Sequence, residues 1–191
     1  MKLNKIIRQI KSDLYRLAGK NTLFVFLKYF VFGESFQFIF WMRIVCYMRY
    51  HIFLRYTVLP FAYIFYRHYS YKYGISISSR TQIGDGFYIG HYGCIIVSYK
   101  AIIGKNCNIS QGVTIGVSNR GSRAGCPVIG DNVYIGPGAK IFGAIIIGDN
   151  VAIGANAVVT RDVPSNSVVV GAPAKVISNE GSLGYINNID Y

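Results

Sequence analysis

Residues 129–159 read IGDNVYIGPGAKIFGAIIIGDNVAIGANAVV, and this stretch decides the fold. A β-branched residue recurs at every sixth position, at Ile129, Ile135, Ile141, Ile147, Ile153 and Val159, and most are followed by glycine. An α-helix cannot keep such a series on one face, because six residues rotate it by roughly 240° net. A coil of three short strands can. Each hexapeptide then forms one side of a triangular prism, with the branched residue inward and the small residue at the corner.

The same period extends back to residue 75 through Ile77, Ile83 and Ile89 and then through Ile103, Ile109 and Ile115. It is interrupted twice. The spacing between Ile95 and Ile103 is eight, which predicts a bulge of two residues, and the spacing between Ile115 and Ile129 is fourteen, which leaves eight residues extra. Segment 117–126 is polar and rich in glycine, so we expect it to project from the prism as a loop, where function is often located.

Residues 1–74 form a different region. They carry twelve Lys/Arg and two acidic residues, for a charge of +10, whereas residues 75–191 carry only +2 of the total of +12. Apolar residues at helical spacing predict an amphipathic helix over 2–18, ending near Gly19. Helices are also expected over 23–32, 35–55 and 60–73, with Ser35 as an N-cap and Pro60 in a first turn.

Two interpretations of this basic, aromatic region remain open. It could lie on a membrane surface, with aromatic residues at the headgroup level and cations on anionic lipid. It could instead be a helical cap that covers the prism and leaves its charges in water. It resembles no nucleic-acid-binding module, so no nucleic acid partner is expected.

The sequence also bears on compartment and redox state. The longest uncharged aromatic stretch, residues 56–66, is too short to span a bilayer. The first residues lack the apolar run and cleavage site of a signal peptide, so we expect a cytoplasmic protein, free or peripheral at the inner face of the membrane. Cysteines 46, 94, 107 and 126 have no paired spacing and are expected to be reduced thiols rather than disulfides or zinc ligands.

Three segments carry a family resemblance: the His91 turn, Asn-Ile-Ser-Gln-Gly-Val-Thr-Ile-Gly at 108–116, and Val-Val-Val-Gly-Ala-Pro-Ala-Lys-Val-Ile at 168–177. Together they resemble the hexapeptide-repeat acyltransferases, in the serine acetyltransferase branch and closest to the capsular and exopolysaccharide O-acetyltransferases. The resemblance covers residues 75–177 and leaves 178–191 as a C-terminal tail. It implies a mainly β fold, a left-handed parallel β-helix after an N-terminal α-helical region. It also implies a homotrimer that binds acetyl-CoA between neighbouring subunits.

His91 occupies the position of the family's catalytic histidine. Acetyl transfer to an alcohol needs a base for the hydroxyl proton and donors for the oxyanion, and a neutral imidazole and backbone N–H groups suit these tasks. The alternative is an incidental surface histidine. Catalytic zinc needs three protein ligands, but the repeat contains a single histidine, so no metal is expected.

The acceptor is suggested by departures from the family pattern. Where serine acetyltransferases carry acidic residues and an Arg-His pair, this chain has Ser76, Gly90, Gly125 and Cys126. A zwitterionic amino acid would lose its charged partners, so free serine is disfavoured. The run 124–127 instead resembles the polysaccharide-modifying enzymes, whose acceptor is a sugar hydroxyl on a glycan or its lipid-linked precursor. Candidate substrate-binding residues are Asn119, Arg120, Arg123 and Cys126, although the loop arginines could also be solvated charges.

For acetyl-CoA, small residues could let the pantetheine arm lie along the coils, and cations could meet its phosphates. The candidates are Gly136, Gly154 and Ala155 for the arm, and Lys140, Arg161 and Lys175 for the phosphates. Each cation could equally be a solubilising charge. The sequence therefore favours an acetyl-CoA-dependent O-acetyltransferase acting on a sugar hydroxyl. Alternatives are a serine or sugar-nucleotide acetyltransferase, and a non-catalytic membrane-associated scaffold.

Overall fold

The structure is a computed structural model that describes residues 2–191. Five helices precede a set of short strands. The helices are α1 (Leu3–Ala18), α2 (Leu23–Phe32), α3 (Glu34–Arg49), α4 (Ile52–Thr57) and α5 (Leu59–Tyr73).

Most helix ends follow from local sequence signals. Gly19 and Gly74 end α1 and α5 in the left-handed conformation, with φ of 65° and 61°, and Pro60 lies in the first turn of α5 as expected. The expectation that Ser35 caps a helix is wrong. Gly33 precedes α3, and Ser35 lies buried inside it. Only glycine fits at position 33, because a Cβ there would lie 2.5 Å from the carbonyl oxygen of Tyr29.

The helix expected over 35–55 is in fact two helices. His51 takes an extended conformation between α3 and α4, with φ of −116° and ψ of 113°. The sequence has neither glycine nor proline at this break. The end of α3 is instead fixed by a tertiary contact, since Arg49 Nε donates to Ser79 Oγ at 3.1 Å.

The strands form three sheets, one for each side of a prism. The first contains β1 (Ile75–Ile77), β4 (Ile95–Val97), β7 (Thr114–Gly116), β10 (Lys140–Phe142) and β13 (Val158–Val159). The second contains β2 (Gln82–Ile83), β5 (Ile102–Ile103), β8 (Val128–Ile129) and β11 (Ile146–Ile147). The third contains β3 (Tyr88–Ile89), β6 (Asn108–Ile109), β9 (Tyr134–Ile135), β12 (Ala152–Ile153), β14 (Val168–Val170) and β15 (Lys175–Ser178). All pairs are parallel except β14 with β15, which confirms a parallel β-helix with an N-terminal helical region.

The register locates the interruptions in the repeat. Ile103 pairs with Ile129, so eight extra residues lie in the corner after β7, as expected. The prediction that the two-residue bulge lies between Ile95 and Ile103, however, is wrong. Val97 pairs with Ile115 and Ile77 pairs with Val97, so the extra pair lies between Ile89 and Val97, in the turn that contains His91. The error arose because Ile95 and Val97 both point inward and either could be taken as the repeat position.

The inward residues form one continuous core. All six members of the series quoted from 129–159 are 2% exposed or less. Full burial of an isoleucine side chain stabilises a fold by about 1.5–3 kcal/mol. At the corner between the second and third sheets, asparagines 106, 132, 150 and 166 all have positive φ. Their side-chain amides bond to one another in a ladder, at 2.9, 3.0 and 3.1 Å.

A buried ion pair joins the helical region to the first coil. Arg43 of α3 bonds both carboxylate oxygens of Asp13 in α1 and donates to the carbonyl oxygens of Ile83 and Gly84. Asp13 also accepts from the N–H of Phe87 at 2.7 Å. Burial raises the pKa of Asp13, and Arg43 opposes that rise. Removing either partner would leave a buried charge uncompensated.

Much of the helical region's apolar surface is open to solvent. The exposed large side chains of α2, α4 and α5 are Leu23, Phe24, Leu27, Val31, Phe32, Ile52, Phe53, Tyr56, Phe61, Tyr63, Ile64, Phe65 and Tyr71. Within residues 2–191, no one helix combines the length and the apolar content needed to span a bilayer. The pair formed by α2 and α3 meets the criterion together, but it is bent by 102° at Gly33.

The C-terminal tail returns along the third sheet to the first helix. Tyr185 stacks on Tyr134 at 4.4 Å, and Tyr191 donates to Asn106 Oδ1 at 2.7 Å. Asn188 Nδ2 donates to the carbonyl oxygen of Arg16. The end of the chain thus lies against the coil with which the β-helix begins.

Candidate active site

His91 lies at the corner between the third and first sheets, which we call the His91 corner. This corner consists of 90–94 and, on the following coils, 110–113, 136–139 and 154–157. The two extra residues of the first coil are accommodated by positive φ at Gly93 and Cys94, 111° and 52°. Gly112 N–H anchors the turn by donating to the carbonyl oxygen of Gly93 at 2.8 Å. The imidazole is exposed, and no hydrogen bond to it is found within residues 2–191.

A cleft of about 340 Å³ opens beside His91. Its lining is aromatic, amide and hydroxyl in character: Arg16, Leu17, Tyr88, Gly90, Asn108, Ser110, Tyr134, Tyr185, Asn187 and Asn188. No carboxylate is among these residues, and Arg16 supplies the permanent charge. The cleft is therefore suited to a neutral, hydroxyl-rich molecule more than to an ammonium group.

Three of the lining residues share one register position on consecutive coils. Tyr88 pairs with Asn108, and Asn108 pairs with Tyr134, each just before the inward isoleucine of its coil. Asn108 is held in place, because it accepts from Arg16 Nη2 and donates to the carbonyl oxygen of Tyr185 at 2.9 Å. Sequence reasoning missed this row. Stacking the repeats on the His91 coil would have found it, whereas nothing in the sequence indicated the tail residues.

Tyr88 packs beside Gly90, the position at which the family resemblance predicts an acidic residue. A Cβ added at Gly90 would lie 3.2 Å from Tyr88 Cε1 and 3.4 Å from its hydroxyl oxygen. The tyrosine ring therefore borders the space that a side chain at position 90 would need. Ser76, the second missing acid, lies exposed on β1. No acidic side chain orients the imidazole of His91 within residues 2–191.

The small residues proposed for the pantetheine arm lie on the His91 corner. Gly136 and Gly154 are stacked on consecutive coils, with Gly136 N–H donating to the carbonyl oxygen of Ile153 at 2.8 Å, and Ala155 is exposed beside them. Gln111, one coil below His91, has a buried side-chain oxygen without a hydrogen-bond partner. Gly136 is buried and Gly154 is half-buried, so the exposed Ala155 and the unsatisfied oxygen of Gln111 are the groups at this corner that fit an amide-bearing chain best.

The three candidate cations are divided between two places. Lys140 is half-buried near the His91 corner, and its Nζ donates to the carbonyl oxygen of Gly112 and to Thr114 Oγ1. Arg161 and Lys175 instead line a separate cavity of about 280 Å³ at the C-terminal end of the prism. The structure therefore does not bring all three together around one phosphate group within a single chain.

The projecting loop lies at another corner, between the first and second sheets, which we call the loop corner. Residues 117–126 form a small hairpin in which Ser118 and Gly125 exchange backbone hydrogen bonds of 2.9 and 2.8 Å. Arg123 binds Asp162 at 2.9 Å. The Ile146 N–H and then Arg123 lower the pKa of the Asp162 carboxyl.

The candidate substrate residues are thus placed away from His91. Asn119, Arg120 and Arg123 are exposed, and Cys126 is half-buried at the base of the hairpin. None of them lines the cleft beside His91. His91 lies where the strands of the first sheet begin and the loop lies where they end, so a single chain does not place both on one small substrate.

Comparison with known proteins identifies the type of repeat. Residues 126–161 match the model for the bacterial transferase hexapeptide, six repeats. Over 108 residues, or 56% of this chain, the sequence is 38% identical to the serine acetyltransferase of Synechococcus elongatus and 43% identical to that of Staphylococcus aureus. These matches cover 44% and 51% of the two relatives, so the chain spans about half the length of the curated relatives it matches.

Solved structures extend the similarity to the helical region. The serine acetyltransferase of Neisseria gonorrhoeae in complex with serine superposes with a TM-score of 0.75 and 29% identity, covering 92% of this chain and 70% of that one. A serine acetyltransferase in complex with CoA superposes with a TM-score of 0.72 and 26% identity, covering 92% and 70%. The sequence analysis predicted that the chain would resemble the capsular O-acetyltransferases most. These comparisons instead favour the serine acetyltransferase branch. The chain is therefore similar, in repeat, sequence and fold, to hexapeptide-repeat acyltransferases of the serine acetyltransferase type.

Proposed function

We propose that this protein is an acetyl-CoA-dependent O-acetyltransferase with His91 as general base. The observation that carries the proposal is the exposed imidazole of His91 at a corner of small residues. It lies beside a cleft of about 340 Å³ that is lined by aromatic, amide and hydroxyl side chains. Acetyl-CoA is a substrate in this proposal, and its thioester supplies the acetyl group. The similarity to serine acetyltransferases, one of them in complex with CoA, supports the donor.

The reaction would be a direct transfer in a ternary complex. His91 would take the proton of the acceptor hydroxyl as its oxygen attacks the thioester carbonyl, and the coenzyme thiolate would leave. General base catalysis of this kind contributes about 10²–10⁴-fold to the rate. Gly154 and Ala155 would contact the pantetheine arm, the buried Gly136 would support them from the coil before, and Lys140 is the candidate cation beside that corner. Arg161 and Lys175 would act only if a neighbouring copy brought them to the same groove.

For the acceptor, we propose a sugar hydroxyl of a glycan, of its lipid-linked precursor or of a sugar nucleotide. Tyr88 and Tyr134 give the cleft aromatic rings, and the exposed Asn187 gives it an amide group, which suit a saccharide ring. The cleft offers no carboxylate for an amino-acid ammonium group. The loop residues Asn119, Arg120, Arg123 and Cys126 would reach this acceptor from a second copy of the chain.

Serine is the second candidate acceptor. It is favoured by the comparisons, since the matched relatives are serine acetyltransferases and one matched structure is a complex with serine. Against it stand the glycine at position 90 and the crowding of that position by Tyr88. A neighbouring subunit would have to supply the charged partners that this chain lacks.

The experiment follows release of the coenzyme thiol with purified full-length protein, acetyl-CoA and either serine or a panel of saccharides and sugar nucleotides. We expect saccharide-dependent release that His91→Ala lowers by about 10²–10⁴-fold. His68→Ala is the matched control, because His68 is an exposed imidazole on α5 outside the repeat. Serine-dependent release with no saccharide-dependent release would reject the sugar acceptor. Equal activity of both histidine variants would remove His91 as the base.

We further propose a homotrimer that sits at the inner face of the cell membrane. A trimer would bring the loop corner of one copy to the His91 corner of the next. The exposed apolar side chains of α2, α4 and α5, among a large excess of cations, support the membrane contact. Light scattering tests the trimer. Sedimentation with anionic vesicles tests the contact, and binding unchanged by Phe24→Ser/Phe53→Ser would reject it.

A further inference from the structure

A second polar site lies at the loop corner of the first coil, away from His91. There the turn Ser78-Ser79-Arg80-Thr81 faces α3, α4 and α5, and three adjoining cavities of about 250, 380 and 480 Å³ open around it. Arg80 lines all three cavities, whereas Arg49 and Ser79 each line two.

Most of the cations that line these cavities have no counter-ion. We define the arginine cluster as Arg49, Arg55, Arg67 and Arg80, and Lys5 lies at the 380 Å³ cavity. No Asp or Glu lines any of the three cavities. The ion pairs found within residues 2–191 use Arg8, Arg43 and Arg123. Of these, Arg43 also lines the 380 Å³ cavity, but Asp13 balances its charge. The cluster therefore concentrates positive charge that the chain itself does not neutralise.

The 250 Å³ cavity is the most concentrated part of the site. Its lining consists of Cys46, Arg49, Tyr50, Arg55, Ser79 and Arg80, so three of its six lining residues are arginines. Arg49 is held toward it by its bond to Ser79 Oγ at 3.1 Å. Burial raises the pKa of the Cys46 thiol, which keeps that side chain neutral at pH 7 and unable to balance the arginines.

A buried hydroxyl beside the cluster also lacks a partner. Thr81 is 7% exposed, lines the 380 Å³ cavity with Arg80, and its Oγ1 is buried without a hydrogen bond. Buried polar atoms are rarely left unpaired in native proteins, and each unpaired one needs an explanation. A ligand with several acceptor oxygens would satisfy this hydroxyl and the guanidinium donors of the adjoining Arg80 together.

We propose that the arginine cluster binds a phosphate or diphosphate group. Arginine forks match the oxygens of phosphate in paired hydrogen bonds, and several uncompensated cations favour an anion with more than one negative charge. The group could belong to a soluble phosphate ester or to a lipid headgroup, since α4 presents Ile52, Phe53 and Tyr56 to solvent next to Arg55. The site is independent of acetyl transfer and does not rest on the proposed function.

The test measures binding of inorganic phosphate and of diphosphate to the full-length protein by calorimetry, at constant ionic strength set with chloride. We expect saturable binding that Arg80→Ala and Arg55→Ala each weaken by about tenfold or more, because each removes charge-assisted hydrogen bonds. Both side chains are exposed, so neither variant should disturb folding. Lys105→Ala, which removes one exposed positive charge at a different corner, is the matched control and should bind as the unaltered chain does.

Vesicles distinguish the two sources of the phosphate group. Binding to phosphatidylcholine vesicles that contain phosphatidic acid, when competed by diphosphate and weakened by Arg80→Ala, would assign a lipid headgroup. Saturable diphosphate binding without such vesicle binding would assign a soluble ester. The proposal is overturned if no phosphate compound and no vesicle binds saturably, or if Arg80→Ala and Lys105→Ala weaken binding equally.

Discussion

At the scale of single residues, the His91 corner shows how one position can be used differently on the same scaffold. The inward isoleucines leave no freedom for function, whereas the corner tolerates two extra residues and an exposed imidazole. Tyr88 then occupies the space next to Gly90, so the loss of an acidic residue and the presence of an aromatic ring belong to one local arrangement. Selectivity for the acceptor would be determined by the ring rather than by a charge.

Gln111 gives a prediction at this scale. If its unpaired oxygen accepts from an amide of the donor, Gln111→Leu will raise the KM for acetyl-CoA by about two- to tenfold and leave kcat nearly unchanged. The variant should not lower the melting temperature, because the oxygen has no partner in the chain to lose. Steady-state kinetics and a thermal melt measure both effects. Gln82→Leu, at an exposed position on β2, is the control, and an unchanged KM in Gln111→Leu would refute the assignment.

At the scale of elements, the corners are stabilised by side chains as well as by backbone hydrogen bonds. The asparagine ladder holds four consecutive turns in the left-handed conformation, and these turns precede strands β6, β9, β12 and β14 of the third sheet. Asparagine is among the few residues with a side chain that adopt this conformation readily, since its short amide can bond locally. The ladder therefore supports the row of residues on which the cleft is built.

Substitution at Asn132 separates the two contributions of the ladder. Asn132→Gly keeps the backbone conformation but loses the amide bonds, whereas Asn132→Ala loses the bonds and also strains a φ of 55°. We expect alanine to be less stable than glycine by about 1–2 kcal/mol, the cost of the left-handed conformation for a residue with a Cβ. Urea denaturation of the two variants measures the difference. Equal midpoints would show that the turn relaxes.

The projecting loop gives a prediction that depends on pH. The Ile146 N–H and Arg123 lower the pKa of Asp162, so its contribution is complete above the unfolded pKa of 3.8 and is lost as pH falls through the lower folded value. We therefore expect the loop to stay docked at pH 5–8 and to detach in stronger acid. Asp162→Asn should reproduce the detachment at pH 7.

Proteolysis detects this detachment. Trypsin at pH 7 should cleave after Arg120 or Arg123 faster in Asp162→Asn than in the unaltered chain. Asp190→Asn, an exposed carboxylate in the tail, is the control and should leave the cleavage rate unchanged. Equal cleavage of both variants would mean that the pair with Arg123 does not hold the loop.

At the scale of the whole molecule, the separation of the His91 corner from the loop corner implies a site shared between copies. Mixed oligomers test this directly. Co-expression of His91→Ala with a chain in which 119–124 is replaced by a short glycine linker should restore part of the activity, because some grooves would combine an intact histidine with an intact loop. Each variant alone should be inactive or nearly so. No restoration in verified mixed oligomers would place the whole site within one chain.

Much of the architecture could be predicted from the sequence. Each coil must pair with its neighbours on all three sheets of the prism, and this pairing imposes a spacing of six residues between inward side chains. The position of the two-residue bulge was harder to predict, since Ile95 and Val97 both point inward and either fits the repeat. The break at His51 and the path of the tail could not be predicted, because both depend on tertiary contacts: the bond of Arg49 to Ser79, and the stacking of Tyr185 on Tyr134. His91 was predicted from the family resemblance. The other residues of its cleft come from α1, the third sheet and the tail, and only the structure shows that they lie together.

The extra pair of residues at the His91 corner also bears on how such proteins can change. The strand that follows this corner is already in register, with Val97 opposite Ile115. The additional length is therefore absorbed within the corner itself. Because each coil is positioned by its neighbours and not by the length of its corners, insertions there leave the interior intact. Corner length is therefore available for laboratory redesign: new turns could be grafted beside His91 without re-engineering the core beneath them.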